Sequence, residues 1–217
     1  ENVYPDVKKA LEELQKSGMK GLIFDLRSNP GGALDQSIKI ASMFLKEGRV
    51  VSVKSKDGNE QVSNREGKYY GDFPLVVLIN GGSASASEIV SGAIKDNKRG
   101  ILVGEKTFGK GSVQTLIPLP DGDGMKLTIA KYYTPSGICI HGIGIEPDVK
   151  VVEKEGYMLF DSMVTNIDEN ESKENKKELI KEIKGEEAAK EFENHKDIQL
   201  DTAVGILKGL LINSNNK

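Results

Sequence analysis

The sequence predicts an α/β protein, and three observations carry that reading. Amphipathic helical stretches alternate with short continuous apolar runs in the first half of the chain. The strongest of these runs, LVVLIN from Leu75, passes through a small-residue loop into another helical stretch. Farther on the pattern changes to period two on either side of a glycine-rich turn, as in an antiparallel hairpin. With 217 residues, 37% hydrophobic and 29% charged, the chain can bury a sizeable core and is neither fibrous nor disordered in composition.

The elements follow in order. PDVKKALEELQKSG spaces Val7, Leu11 and Leu14 as the stripe of a helix that stops at Gly18. GLIFDL (Gly21 to Leu26) then reads as a strand buried on both faces, the habit of parallel strands between helices. After the loop RSNPGG, the spacing of Leu34, Ile38, Ala41 and Leu45 predicts a second helix. VVSVK and the turn at Asp57 and Gly58 predict a hairpin running toward Tyr69 and Tyr70. LVVLIN leads through GGSAS into the helix SEIVSGAIKD, a strand ILVG and a second glycine-rich loop, EKTFGKG. SVQTLIPL and MKLTIAKYY pair across DGDG, and ICIHG reads as strand-like. From Glu153 the composition turns to Glu, Lys and Asn, so residues 153–196 form a charged helical excursion beside a core of residues 1–152. Helical periodicity returns in 197–217, which docks back on the core.

Several function classes fall away at once. A net charge of −3 gives no general attraction for phosphate backbones, so nucleic acid is not a partner. No apolar run reaches membrane-spanning length. One cysteine, Cys139, and two histidines, His141 and His195, cannot build a thiolate and imidazole zinc site. DGDG lacks the spacing of a calcium loop. Gly104 through Lys110 mimics a phosphate-binding loop, but Gly111 stands where a Ser or Thr would hold magnesium, and a strand follows instead of a helix.

Two loops remain for chemistry. Asn80 to Glu88 joins a strand to a helix N-terminus, where unpaired amides and the helix dipole favour developing negative charge. Ser85 and Glu88 there also match a capping box, and a cap and a nucleophile are compatible roles. A serine needs a base. A Ser-His-Asp triad through His141 or His195 stays open on counting alone. The alternative is a lysine whose amine is kept neutral by burial in an apolar pocket, and EKTFGKG supplies lysines.

Five blocks then resemble one family in the right order: NPGG (Asn29 to Gly32), GSASASEIVSGAIKD, GEKTFGKGSVQ, YYTPSG and GIGIEPDV. Together they look like the C-terminal processing peptidases, also called tail-specific proteases. The resemblance implies a serine endopeptidase cleaving protein substrates near their C-termini, with no cofactor and no metal. It implies Ser85 as nucleophile, Lys110 as base and Gln114 as the residue orienting Lys110, with the amides of Gly31 and Ala86 forming the oxyanion hole. Lys106 is excluded by the family's spacing, and Asp96 aligns with a family aspartate that serves structure as readily as chemistry. The implied architecture is a crotonase/Clp-protease-like α/β core with β-hairpin additions. A PDZ domain recruiting the substrate's C-terminus is implied upstream of the first helix, outside these residues, in a cell-envelope setting. Two rival readings stand beside it: a non-catalytic interaction or scaffold module of the same fold, and a crotonase-like acyl-CoA enzyme.

Overall fold

A computed structural model describes residues 2–120, 122–153, 181, 186 and 196–215. The α/β class holds. Helix α1 (Val3–Lys16) leads to strand β1 (Leu22–Asp25), helix α2 (Leu34–Phe44) and the hairpin of β2 (Arg49–Ser55) and β3 (Glu60–Asn64). Strand β4 (Leu75–Ile79), helix α3 (Ala86–Asp96) and strand β5 (Ile101–Gly104) follow. Next come the hairpin strands β6 (Ser112–Pro118) and β7 (Gly124–Tyr133), the short β8 (Val149–Lys150) and helix α4 (Ile198–Asn215).

Four strands form a parallel sheet in the order β1-β4-β5-β8, and four form an antiparallel sheet in the order β3-β2-β7-β6. Alternate residues of a strand face opposite sides, so β4 is covered twice. Leu75, Val77 and Ile79 join the main core with Phe44, Val90 and Ile94, while Val76 and Leu78 meet Ala203, Ile206 and Leu207 of α4. That two-sided burial explains why LVVLIN reads as an unbroken apolar run.

GLIFDL behaves differently from the expectation of burial on both faces. β1 lies at the sheet's edge, so Leu22, Ile23 and Phe24 are only partly covered. In α1 only Leu11 is buried, and Leu14 is 44% exposed, because the helix packs chiefly along α2. Pairing of β2 with β3 ends at Asn64. Tyr70 leaves the hairpin for the core, donating its N–H to the Met43 carbonyl and its hydroxyl to Glu12. Nor is ICIHG a strand: one bridge joins Cys139 to Tyr133, and His141 is exposed in a turn. Most of the expected charged excursion at 153–196, with His195, lies outside the described residues.

This topology sets the carboxyl ends of β1, β4 and β5 side by side, and the loop leaving each is a sequence singled out above. Open parallel sheets bind ligands just beyond such ends.

Candidate active site

Ser85 stands where β4 turns into α3, as the N-cap of that helix. Its backbone is at φ 55 and ψ −113, a conformation that costs a non-glycine residue about 1–3 kcal/mol and persists only where its surroundings fix it. They do so from both sides. The Ala84 N–H donates to the Asn29 carbonyl (3.0 Å), and the Ser85 N–H donates to Glu88 Oε2 (2.8 Å) as half of the capping box read from the sequence. The Glu88 N–H in turn donates to the Ser85 carbonyl at 3.0 Å, which closes the first turn of the helix. A strained strand-to-helix elbow of this kind lifts a serine hydroxyl to the top of a sheet.

The NPGG loop lies directly against that elbow. A Cβ added at Gly31 (φ +93) would sit 2.5 Å from the Ala84 carbonyl oxygen, 2.7 Å from the Ala86 nitrogen and 2.9 Å from Ser85 Cβ. Only glycine permits this approach. Ala86 is the first residue of α3, so its N–H has no acceptor within the helix. The Gly31 N–H points at Asn29 Oδ1 (2.9 Å), and a substrate oxyanion would have to exchange with that side-chain acceptor. Asn29 also accepts from Ser87 Oγ through both its carbonyl and its Oδ1, each at 3.0 Å.

Glu88 is the residue whose weight the sequence conceals. It is fully buried, and its carboxylate accepts four hydrogen bonds: from Ser85 N–H (2.8 Å), Thr107 Oγ1 (2.5 Å), Gly109 N–H (2.7 Å) and Lys110 N–H (2.8 Å). One side chain thus joins the Ser85 elbow to the GEKTFGKG loop. The available signal is a carboxylate beside Ile89 and Val90, where α3 is otherwise small or apolar as far as Ile94. The same loop is pinned by Phe108 N–H donating to the Ser83 carbonyl (3.0 Å) and by Thr107 Oγ1 accepting from Ile145 N–H (2.7 Å).

The side chains expected as base and orienter both lie on the surface. Lys110 is exposed rather than sheltered, because the loop is fastened by its backbone and leaves that side chain on the solvent side. Gln114 is exposed on β6 and donates to Thr128 Oγ1 of β7 at 3.3 Å; a register irregularity between Val113 and Gln114 accompanies this pairing. Lys106 pairs with Glu146 at 3.0 Å, and Asp96 accepts from Ser136 N–H at 2.9 Å, closing the TPSG turn. His141 remains in its exposed turn. Among the described residues no cluster of three His, Cys, Asp or Glu side chains could hold a metal.

A cleft of about 800 Å³ opens beside Gly31 and Ala86, walled by Val3 and Val7 of α1, Phe24 of β1, Ile40 of α2 and Val90 of α3. Its rim is steadied by Arg27, which bonds Asp25 (2.7 Å) and, near the N-terminus of α4, Asp197 (2.8 Å). Burial of the Arg27 guanidinium opposes its charge, but these carboxylates outweigh burial and raise its pKa.

Three comparisons bear on this arrangement. The chain is 40% identical over 219 residues to a carboxy-terminal-processing protease of Bartonella bacilliformis, covering 96% of this chain and 50% of that protein. It is 49% identical over 153 residues to a carboxyl-terminal-processing protease of Synechocystis, covering 70% of this chain and 36% of the relative. The solved photosystem II D1 C-terminal processing protease superposes with a TM-score of 0.66 at 41% identity, covering 70% of this chain and 39% of that one. The chain therefore spans about half or less of the length of these relatives. The family model of peptidase family S41 matches residues 1–151, and the chain belongs to that family.

Proposed function

We propose that this chain forms the catalytic core of a serine endopeptidase that processes protein substrates near their C-termini. The observation that carries the proposal is the strained Ser85 elbow at the N-terminus of α3, pressed against Gly31 and Ala86. Ser85 attacks the scissile carbonyl, and the Ala86 amide receives the oxyanion together with the Gly31 amide once it is released from Asn29. Two backbone N–H groups directed at one point are what a tetrahedral intermediate requires. Lys110, neutral, takes the proton from Ser85 and returns it to the leaving amine, and Gln114 orients it. Because Lys110 is exposed here, bound substrate must cover it before it acts as a base. The cleft walled by Val7, Phe24 and Val90 accepts an apolar side chain next to the scissile bond. No cofactor is needed, and the expected setting is extracytoplasmic, with a PDZ domain upstream recruiting the substrate terminus.

A fluorophosphonate probe followed by intact-mass measurement tests the nucleophile: one adduct mapping to Ser85 is expected. Lys110→Ala should lower kcat by at least a thousandfold while leaving Tm within about 2 °C, because an exposed loop lysine contributes little to stability. Cleavage by that variant at the wild-type rate would remove Lys110 from the mechanism. The exposed amine and the Gln114 to Thr128 bond favour the scaffold reading as a second possibility, and a folded wild-type chain that takes no adduct would support it.

A further inference from the structure

The nucleophile elbow and the oxyanion loop come from different strands, so something must fix one against the other. We propose that Asn80 is a positioning residue that does this, acting through Ser28 on the placement of the Gly31 amide. The inference rests on the peptidase reading above.

Asn80 directly follows β4 and is 5% exposed, after a strand whose five residues are all apolar and buried. Its Oδ1 accepts two backbone N–H groups at once, from Ser28 (2.8 Å) on the oxyanion loop and from Gly82 (3.0 Å) on the elbow. Its Nδ2 donates to Ser28 Oγ at 3.3 Å. Its backbone N–H donates to Ser83 Oγ (3.0 Å), which in turn donates to the Leu26 carbonyl (2.7 Å). Two of the three side-chain bonds therefore join the end of β4 to the segment that leaves β1, and the third ties the same oxygen to the elbow.

The segment held in this way needs holding. Ser28 has φ 54, a left-handed conformation that a non-glycine residue keeps only under constraint, and it lies three residues before Gly31. At the crossing point the two backbones touch: a Cβ on Gly82 would come within 2.8 Å of Ser28 Cα. The amide chemistry fits the task. One oxygen must accept twice while the adjacent nitrogen donates, and a carboxylate in its place would bury a negative charge beside the site where an oxyanion forms. Asn80 does not line the cleft, so its effect should fall on the transition state rather than on substrate binding. A misplacement of about 1 Å at a reacting centre can cost about a hundredfold in rate.

The test compares the wild-type chain with Asn80→Ala and, separately, Gly82→Ala, which disturbs the same crossing with Asn80 in place. The expected result for both is a kcat lowered about 30- to 100-fold with KM within about twofold, and fluorophosphonate labelling of Ser85 slowed by a similar factor. Peptide-resolved hydrogen exchange should show the Ser28 and Gly31 amides exchanging at least about tenfold faster, while α3 stays protected. A folded variant whose Ser28, Asn29, Gly31 and Gly32 amides exchange as in the wild type would overturn the proposal, as would equal changes in kcat and KM. If Asn80→Ala does not fold, Gly82→Ala decides. If the wild-type chain neither turns over nor labels, the peptidase reading fails, and the exchange comparison still decides whether Asn80 holds the loop.

Discussion

The two halves of the candidate site are built to different standards of order. On the side of β1 and β4, the loops are closed by buried side chains whose acceptors are all engaged: Asn80 holds Ser28 and Gly82, Ser83 holds the Leu26 carbonyl, and Glu88 holds Ser85. On the other side, Lys110 projects into solvent from the loop before β6, and Gln114 from the β6–β7 hairpin, whose Leu116, Met125, Leu127 and Ile129 are also exposed. The difference concerns what is left to order at the moment of reaction. A preorganised amide such as that of Ala86 costs nothing further when an oxyanion forms, whereas the Gly31 amide must first exchange its Asn29 acceptor. A lysine side chain carries about 2 kcal/mol of rotamer entropy, which the proposed mechanism requires Lys110 to surrender as it closes on Ser85. In the proposed mechanism the electrophile-binding half thus rests on positions the fold already fixes, and the base half on what comes to cover Lys110.

Glu88 is the point where this contrast is most easily broken, since it is the side chain that ties the ordered half to the backbone of Gly109 and Lys110, beside the backbone bond from Phe108 to Ser83. Glu88→Ala orphans four donors, and at about 1 kcal/mol each the loss is about 4 kcal/mol, or a Tm lower by about 10 °C in a chain of this size. Turnover measured well below the new Tm should fall by at least about a thousandfold, because both the elbow and the lysine loop lose their common anchor. Calorimetry and steady-state kinetics on the same preparation check both numbers. A variant with normal kcat would mean that the two loops are positioned independently. Gly31→Ala comes next and strikes only the ordered half. The added methyl would meet backbone atoms at 2.5 and 2.7 Å, so the loop must retreat and carry its amide with it. The expected loss is about a hundredfold in kcat with KM little changed, the penalty for one oxyanion donor, and an unchanged kcat would place the donor elsewhere.

Legibility in the sequence follows the same division. The elbow and the glycine loops could be read because their chemistry is local: a strand, small residues, a cap and a helix stand consecutively from Leu75 to Asp96. Ser85 and Glu88 were recognisable as a capping box for that reason. The second duty of Glu88, toward Gly109 and Lys110 some twenty residues on, depends on β5 lying next to β4, and no periodicity encodes that neighbour. Asn80 was equally silent, since a polar residue closing an apolar strand reads as the start of a loop. The edge position of β1 went unread because an apolar tetrapeptide looks the same at the edge of a sheet as in its middle. The sheltered lysine was an expectation about side-chain environment, and environment is a tertiary property that the spacing of Lys110 from Ser85 does not carry.

Gln114 offers the finest probe of the less ordered half. In this structure its amide spans to Thr128 across the hairpin at 3.3 Å, a long bond between exposed groups, so Gln114→Ala should change stability by less than about 0.5 kcal/mol. If the side chain turns from Thr128 to the Lys110 amine during catalysis, the same substitution should lower kcat about tenfold, a modest part of what a positioned proton-transfer group supplies. Thr128→Val separates the two roles, since it releases the glutamine without removing it. That variant should leave kcat unchanged or slightly raised, because the competing partner of Gln114 is gone. Equal losses from Gln114→Ala and Thr128→Val would mean that the cross-strand bond itself shapes the hairpin, and that the base arm consists of Lys110 alone.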